Sequence, residues 1–265
     1  MSGFRKQTDA WRQAWESEAI GKPYGDLFFD RATGKLPEME SSKAAAARIT
    51  ALAKSGDSLF DVGCGAGHYY RSIRSRGPAT LRYTGLDATP YYIKLASEAF
   101  SGDEAARFVV GDIFAIDFPD RAFDLVMCNN VLLHLPSIAK PLRELCRVAR
   151  RHVLVRTLVS EKSYVVQDIF PGEDGADFDN DGRPAAGFHY LNIYGEPYVR
   201  HLLATAPGVA NVRIEIDREF VAERIADTAQ VMPKAWDATT VTEGMQRSGP
   251  IGLPWQWITI DLSQA

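Results

Sequence analysis

The run LFDVGCGAGHYY, residues 59–70, sets Asp61 two positions ahead of Gly63, with Gly65 and Gly67 following alternately. Apolar residues lead in and a helix-like stretch leads out, so the run reads as a strand breaking into a glycine loop. Such loops let a nucleotide cofactor approach the backbone, because no Cβ intervenes. The cofactor could carry a pyrophosphate or lack one. A dinucleotide fingerprint wants G-x-G-x-x-G with an acidic residue about 20 positions on. Gly63 and Gly65 fit it, but His68 stands at the third glycine position. Asp87 lies 20 residues after Gly67, so spacing alone leaves a nicotinamide dinucleotide open. Charge is more informative. A carboxylate at Asp61 would repel a pyrophosphate and attract a cofactor bearing positive charge.

The elements around this loop alternate. Strands are predicted over 58–62, 81–86, 107–110, 123–128 and 152–158, with helices over 68–75, 90–100 and 137–149 between them. Short apolar strands alternating with helices predict an α/β fold: a doubly wound, mostly parallel sheet with helices on both faces. Ligands of such sheets bind beyond the carboxyl ends of the strands, near the switch point, which is where the glycine loop falls. Ahead of the core, a helix is predicted over 8–20, ended by Gly21, Pro23 and Gly25. A second is predicted over 41–54, with serine at its N-cap. After residue 158 the alternation fails. Residues 160–190 form a long, polar, glycine-rich insert, and such connections are usually functional or mobile. A helix over 196–205 follows, and the strands NVRIEIDREF and WQWITIDL form the closing edge of the same sheet, which is expected to have an antiparallel edge strand near the C-terminus. The expected organisation is 1–57 as a helical lid plus the first core helix, and 58–265 as the core carrying the insert.

FDVGCGAGHY resembles motif I of the class I S-adenosylmethionine-dependent methyltransferases, and YTGLDATPYYIKLA is similar to their second motif. FVVGDIFAIDFPDRAFDLVMCNNVLLHLP resembles the third and fourth run together, so the likeness covers residues 59–157 in family order. The resemblance implies a seven-stranded Rossmann-like sheet and S-adenosylmethionine as cofactor, a sulfonium and an ammonium with no phosphate. It implies that Gly63, Gly65 and Gly67 approach the methionyl part and that Asp61 orients the ammonium. Asp87, with Ala88 beside it, would take the ribose hydroxyls, which its two acceptor oxygens suit. Asp112 would accept from the adenine amine, the Ile113 amide would donate to the ring, and the Asn129 carbonyl would face the ammonium. Residue by residue, simpler roles stand beside these: Asp87 as a helix cap, Asp112 as a turn former with Gly111.

Transfer by in-line displacement needs an aligned acceptor, exclusion of water and, for a hydroxyl or ammonium, removal of a proton. CNNV stands where amino-methylating DNA enzymes carry N-P-P-Y, and no nucleophilic cysteine pair is present. His134, just past the cofactor loop, is one candidate base. His189 and Tyr190, at the end of the insert, are the others. Packing and loop roles compete with each. DFDNDG in the insert starts like a calcium loop, but Phe188 stands where the bidentate Glu is needed, so a solvated acidic loop with no metal is expected, a divalent ion assisting acceptor deprotonation being the lesser alternative. Trp11, Trp15, Tyr24, Phe28, Phe29 and Arg31 form an aromatic preface that either covers the site or packs a helix onto the sheet. Glu40 is a further candidate for the methionyl end.

A net charge of −4 and a pI near 5.8 argue against nucleic acid, and Arg143, Arg147, Arg150 and Arg151 read as a solvated helix face. Cys64, Cys128 and Cys146 have no metal-ligand spacing and read as buried small side chains. No leader-like or membrane-spanning apolar run is seen, which predicts a cytoplasmic protein. The expected function is methyl transfer to oxygen or nitrogen of a small molecule or saccharide. The rivals are a regulatory or non-methyl S-adenosylmethionine-binding protein and a nucleotide-dependent oxidoreductase.

Overall fold

The computed structural model describes residues 10–18, 21–169, 188–229, 239–248 and 251–263. The chain opens with three helices, α1 (Ala10–Glu16), α2 (Gly21–Thr33) and α3 (Glu40–Leu52). The alternating core then runs β1 (Ser58–Val62), α4 (His68–Arg74), β2 (Arg82–Asp87), α5 (Pro90–Ala99), β3 (Ala106–Val110), β4 (Phe123–Asn129), a 3-10 turn at Leu132–His134, α6 (Ala139–Val148) and β5 (Ala149–Ser160). Two short strands, β6 (Gln167–Ile169) and β7 (Phe188–Tyr190), pair antiparallel. β8 (Tyr194–Gly195), α7 (Glu196–Ala204), β9 (Val209–Ile216), α8 (Ala222–Ala229), β10 (Thr239–Thr242), β11 (Met245–Ser248) and β12 (Ile251–Leu262) complete it.

The expected seven strands are present in the order β3-β2-β1-β4-β5-β12-β9, parallel from β3 to β5, with β12 antiparallel to both neighbours. The hairpin β10–β11 adds to the amino-terminal half of β12, and β8 pairs with the end of β5. β1 is buried throughout and lies between β2 and β4, so the sheet's direction of growth reverses at its carboxyl end.

Side-chain alternation divides the core between two faces. Phe60, Val62, Val126, Cys128, Val153 and Val155 point into one cluster with α6 and α7, through Leu142, Leu145, Val199 and Leu203. Leu59, Leu125, Met127, Leu154 and Trp257 point into the other, covered by α3 and α4 through Ala45, Ile49, Tyr70 and Ile73. By the same alternation Asp61, Asn129 and Arg156 share the second face.

Two local expectations are corrected. Gly21, Pro23 and Gly25 do not stop the first helix; they lie inside α2. Proline is tolerated in a first helical turn, and Gly25 admits Tyr91 and Tyr92, whose rings lie 2.8–3.0 Å from where its Cβ would be. The N-cap of α3 is Met39 rather than a serine, and Ser42 Oγ instead donates back to the Met39 carbonyl at 2.9 Å. All three cysteines are buried. No helix among the described residues is long and apolar enough to cross a membrane.

Candidate active site

The turn from β1 to α4 needs left-handed backbone at Gly63 (φ +81°), Gly65 (φ +54°) and Gly67 (φ +83°), which only glycine adopts without strain. Both Gly63 and Cys64 donate to the Leu86 carbonyl, at 2.7 and 3.0 Å, which docks the loop on the end of β2. A Cβ on Gly63 would lie 2.2 Å from Val131 Cγ2, and one on Gly65 3.1 Å from the Phe28 ring. The loop is therefore walled by the segment after β4 on one side and by α2 on the other.

Two carboxylates flank this loop, and a third, Asp112, follows β3. Asp61, 2% exposed, accepts from the Tyr83 hydroxyl at 2.6 Å. Burial raises its pKa to about 7, against the Tyr83 hydrogen bond and with help from the charge of Asp87. Asp87 at the end of β2 accepts from the Gly65 and Thr89 amides, at 3.0 and 2.9 Å, and burial raises its pKa too. It does not cap α5; Thr89 holds that position. Ala88 beside it is exposed. Asp112 accepts from the Phe114 amide at 2.9 Å and pairs with Arg12 of α1 at 3.0 Å, next to the buried Ile113. Asn129 ends β4 with its side chain buried, and its Oδ1 has no hydrogen-bond partner among the described residues.

This set fits S-adenosylmethionine. It offers a glycine loop packed closely against the Val131, Phe28 and Phe100 side chains, a buried carboxylate with no cation bound to it among the described residues, and an unused acceptor at Asn129. Asp61, a buried carboxylate with no lysine or arginine bound to it among the described residues, suits an ammonium and opposes a pyrophosphate.

The candidate bases meet one another. Val131, against Gly63, opens the 3-10 turn that carries His134. His134 Nδ1 lies 2.8 Å from the Tyr190 carbonyl. A carbonyl only accepts, so Nδ1 bears the hydrogen and Nε2 the lone pair. Burial, then the neighbouring His189, lowers the His134 pKa to about 3. The two imidazoles lie 5.8 Å apart, and Trp15 of α1 packs on both, at 4.8 and 5.7 Å. Tyr190 packs on Trp11 at 6.4 Å through its ring. From Trp15 the aromatic contacts continue through Tyr24 to Phe28, which stacks on His68 at 4.3 Å. One residue escaped the sequence reading: Asp168, paired across β6–β7 with His189, has Oδ2 3.3 Å from His189 Nε2. No spacing signals it, since the segment between the two strands separates them.

Glu40 of α3 is buried and binds Lys43 and the Val221 amide. Arg147, Arg150 and Arg151 pair with Glu144 and Asp120, Asp124 and Asp57, which removes the basic face as a free patch. DFDNDG lies outside the described residues.

A family model described as a methyltransferase domain matches residues 60–155. The chain is 35% identical over 95 residues to a 2-methyl-6-phytyl-1,4-hydroquinone methyltransferase of Synechocystis, covering 36% of this chain and 29% of that protein. It is 29% identical over 164 residues to a malonyl-[acyl-carrier protein] O-methyltransferase of Serratia marcescens, covering 60% and 62%. The chain thus spans less than two thirds of the length of these relatives. The solved [4+2]-cyclase SpnF shares the fold, with a TM-score of 0.56 and 18% identity over 85% of this chain and 82% of that one. The matched methyltransferase domain spans β1 to β5, within a sheet of the expected topology, so residues 60–155 carry the likeness to S-adenosylmethionine-dependent methyltransferases that the motifs announce.

Proposed function

We propose that the protein methylates oxygen or nitrogen of a small-molecule acceptor, a saccharide included, by in-line transfer. The observation that carries this reading is the single turn from Val131, against Gly63, to His134 among Trp15, His189 and Tyr190. It supports His134 as a candidate proton acceptor close to the cofactor cradle. When bound, S-adenosylmethionine supplies an electrophilic methyl group on a sulfonium. Asp61, Gly63, Gly65, Gly67 and Asn129 would hold its methionyl end, Asp87 and Ala88 the ribose, Asp112 and Ile113 the adenine.

Among the candidate bases, His134 is neutral and presents Nε2 as an acceptor, which suits it to align a hydroxyl or amine through a hydrogen bond. His189 Nε2 lies against Asp168, a carboxylate that can orient the ring, so His189 is the group suited to take the acceptor's proton. Tyr190 contributes its carbonyl to His134 and its ring to Trp11. The aromatic residues of α1 and α2 exclude water from this space, which supports residues 1–57 acting as a lid on the core, 58–265. The hydroquinone and acyl-carrier acceptors named for the relatives support acceptors other than nucleic acid, as does the negative net charge.

The test is incubation with S-adenosylmethionine and panels of phenols, amines, acyl thioesters and saccharides, reading S-adenosylhomocysteine and methylated product together. Product without S-adenosylhomocysteine would favour non-methyl chemistry, the second reading that the shared fold with a cyclase brings in. Binding with no conversion would favour a regulatory role. A dinucleotide binding in place of S-adenosylmethionine would restore the oxidoreductase.

A further inference from the structure

Asn130 follows β4 with φ at +59°, one of three non-glycine residues in the left-handed region among the described residues. Asparagine visits that region with less strain than other side chains, and here three hydrogen bonds hold it. Its amide donates to the Arg156 carbonyl at 2.9 Å. Its Oδ1 accepts from Arg156 Nη1 at 2.8 Å, and its Nδ2 donates to the Tyr69 hydroxyl at 3.2 Å.

Its partners are anchored in turn. Arg156, 2% exposed, donates to Asp217 at 2.8 Å and to Gln246 Oε1 at 3.1 Å, with its guanidinium 4.4 Å from the Trp255 ring centre. The Tyr69 hydroxyl donates to Ser41 Oγ at 3.1 Å. Asn130 is therefore clamped between α3 and α4 on one side and the sheet's carboxy-terminal additions on the other. The left-handed turn directs the chain beyond it. It drops Val131 onto Gly63 and starts the short helix that carries His134.

We propose that Asn130 is a positioning residue for S-adenosylmethionine: clamped left-handed by Arg156 and Tyr69, it sets the end of β4 and Val131 as the wall of the glycine cradle. It acts through Asn129 and Val131 and touches neither cofactor nor acceptor. The proposal rests on the cofactor reading given above. Through Arg156 it also ties the cradle to β11 and to the segment after β9.

A residue that merely stabilises the fold would behave differently from one that sets a backbone conformation. Asn130→Ala and Asn130→Gly both remove the side-chain clamps, but glycine keeps the left-handed conformation without strain and alanine does not. The full-length chain is titrated calorimetrically with S-adenosylhomocysteine, and the thermal midpoint of each ligand-free variant is measured alongside. Asn130→Ala is expected to bind at least about fivefold more weakly than wild type, and Asn130→Gly within about threefold. Alanine affinity within about twofold of wild type, or equal losses in both variants, overturns the proposal. If Asn130→Ala fails to fold, Tyr69→Phe decides, since it removes one clamp and leaves the backbone. A loss of about threefold supports the proposal and unchanged affinity overturns it. Failure of the wild-type chain to bind S-adenosylhomocysteine would instead overturn the cofactor reading, and the proposal with it.

Discussion

The Tyr83 hydroxyl donates a 2.6 Å hydrogen bond to Asp61, and no cation shares that carboxylate among the described residues. Burial raises the Asp61 pKa from 3.8 to about 7. The folded value exceeds the unfolded one, so the stability linked to this group is fully present below pH 3.8 and is lost as pH rises through about 7. The thermal midpoint of ligand-free Asp61→Asn should therefore fall less between pH 4 and pH 7 than that of wild type (the pH range set by the cited shift). An ammonium prefers the ionised carboxylate, so S-adenosylhomocysteine should bind more tightly as pH rises through about 7, releasing a proton below it. Calorimetry in buffers of different ionisation enthalpy measures that proton, and Asp61→Asn should abolish it.

Gly63 combines a positive φ with a neighbour 2.2 Å from its Cβ position. Gly63→Ala should weaken S-adenosylhomocysteine binding by at least about tenfold. Adding Val131→Ala should restore only part of the loss, because it clears the space and leaves the backbone strain. Full rescue by the double variant would show that crowding alone is at stake.

Arg12 holds Asp112 at 3.0 Å, with both side chains more than a third exposed. Such a pair adds little stability, so Arg12→Ala should leave the thermal midpoint nearly unchanged. If the adenine amine takes Asp112, Arg12 competes with it. Arg12→Ala should then tighten S-adenosylhomocysteine binding about two- to fivefold at low salt, with a smaller effect at high salt. Unchanged affinity in Arg12→Ala would place adenine away from Asp112.

His134 and His189 are assigned different tasks, and kinetics separates them. With an acceptor found by the panels above, His189→Ala and Asp168→Asn should lower kcat by about a hundredfold and tenfold respectively, with cofactor affinity nearly constant. His134→Ala should act mainly through the acceptor KM. Equal kcat in wild type and His189→Ala would remove His189 as the base.

Arg156 and Asp217 form a buried ion pair, 2% and 0% exposed. Removing one partner leaves a buried charge alone, so Asp217→Ala should destabilise the chain by about 3–5 kcal/mol in urea denaturation. A loss below about 1 kcal/mol would mean that water or Gln246 replaces the carboxylate.

Much of the sheet was legible in the residues. β1 matches its predicted bounds, and β2 to β4 fall within a residue or so, because short buried strands carry dense apolar runs with clear stops. Asp61, Asp87 and Asp112 stand at strand ends, where topology alone delivers side chains to the switch point. The preface was harder to read. Gly21, Pro23 and Gly25 look like a helix stop, yet they open α2, and Gly25 serves close packing against Tyr91 and Tyr92. Local preference yields there to tertiary contact.

The sequence by itself determined the alternating core, the glycine loop and the sign of the charge beside it, since each depends on residues close together along the chain. Only the tertiary structure decided which distant residues meet. Arg156 reaches Asn130 across 26 positions, Asp217 across 61 and Gln246 across 90. Trp15, His134 and His189 come together from three elements, and Asp168 joins His189 through a strand pair. Such contacts leave no local periodicity, because burial and hydrogen-bond satisfaction select them only once the elements are packed.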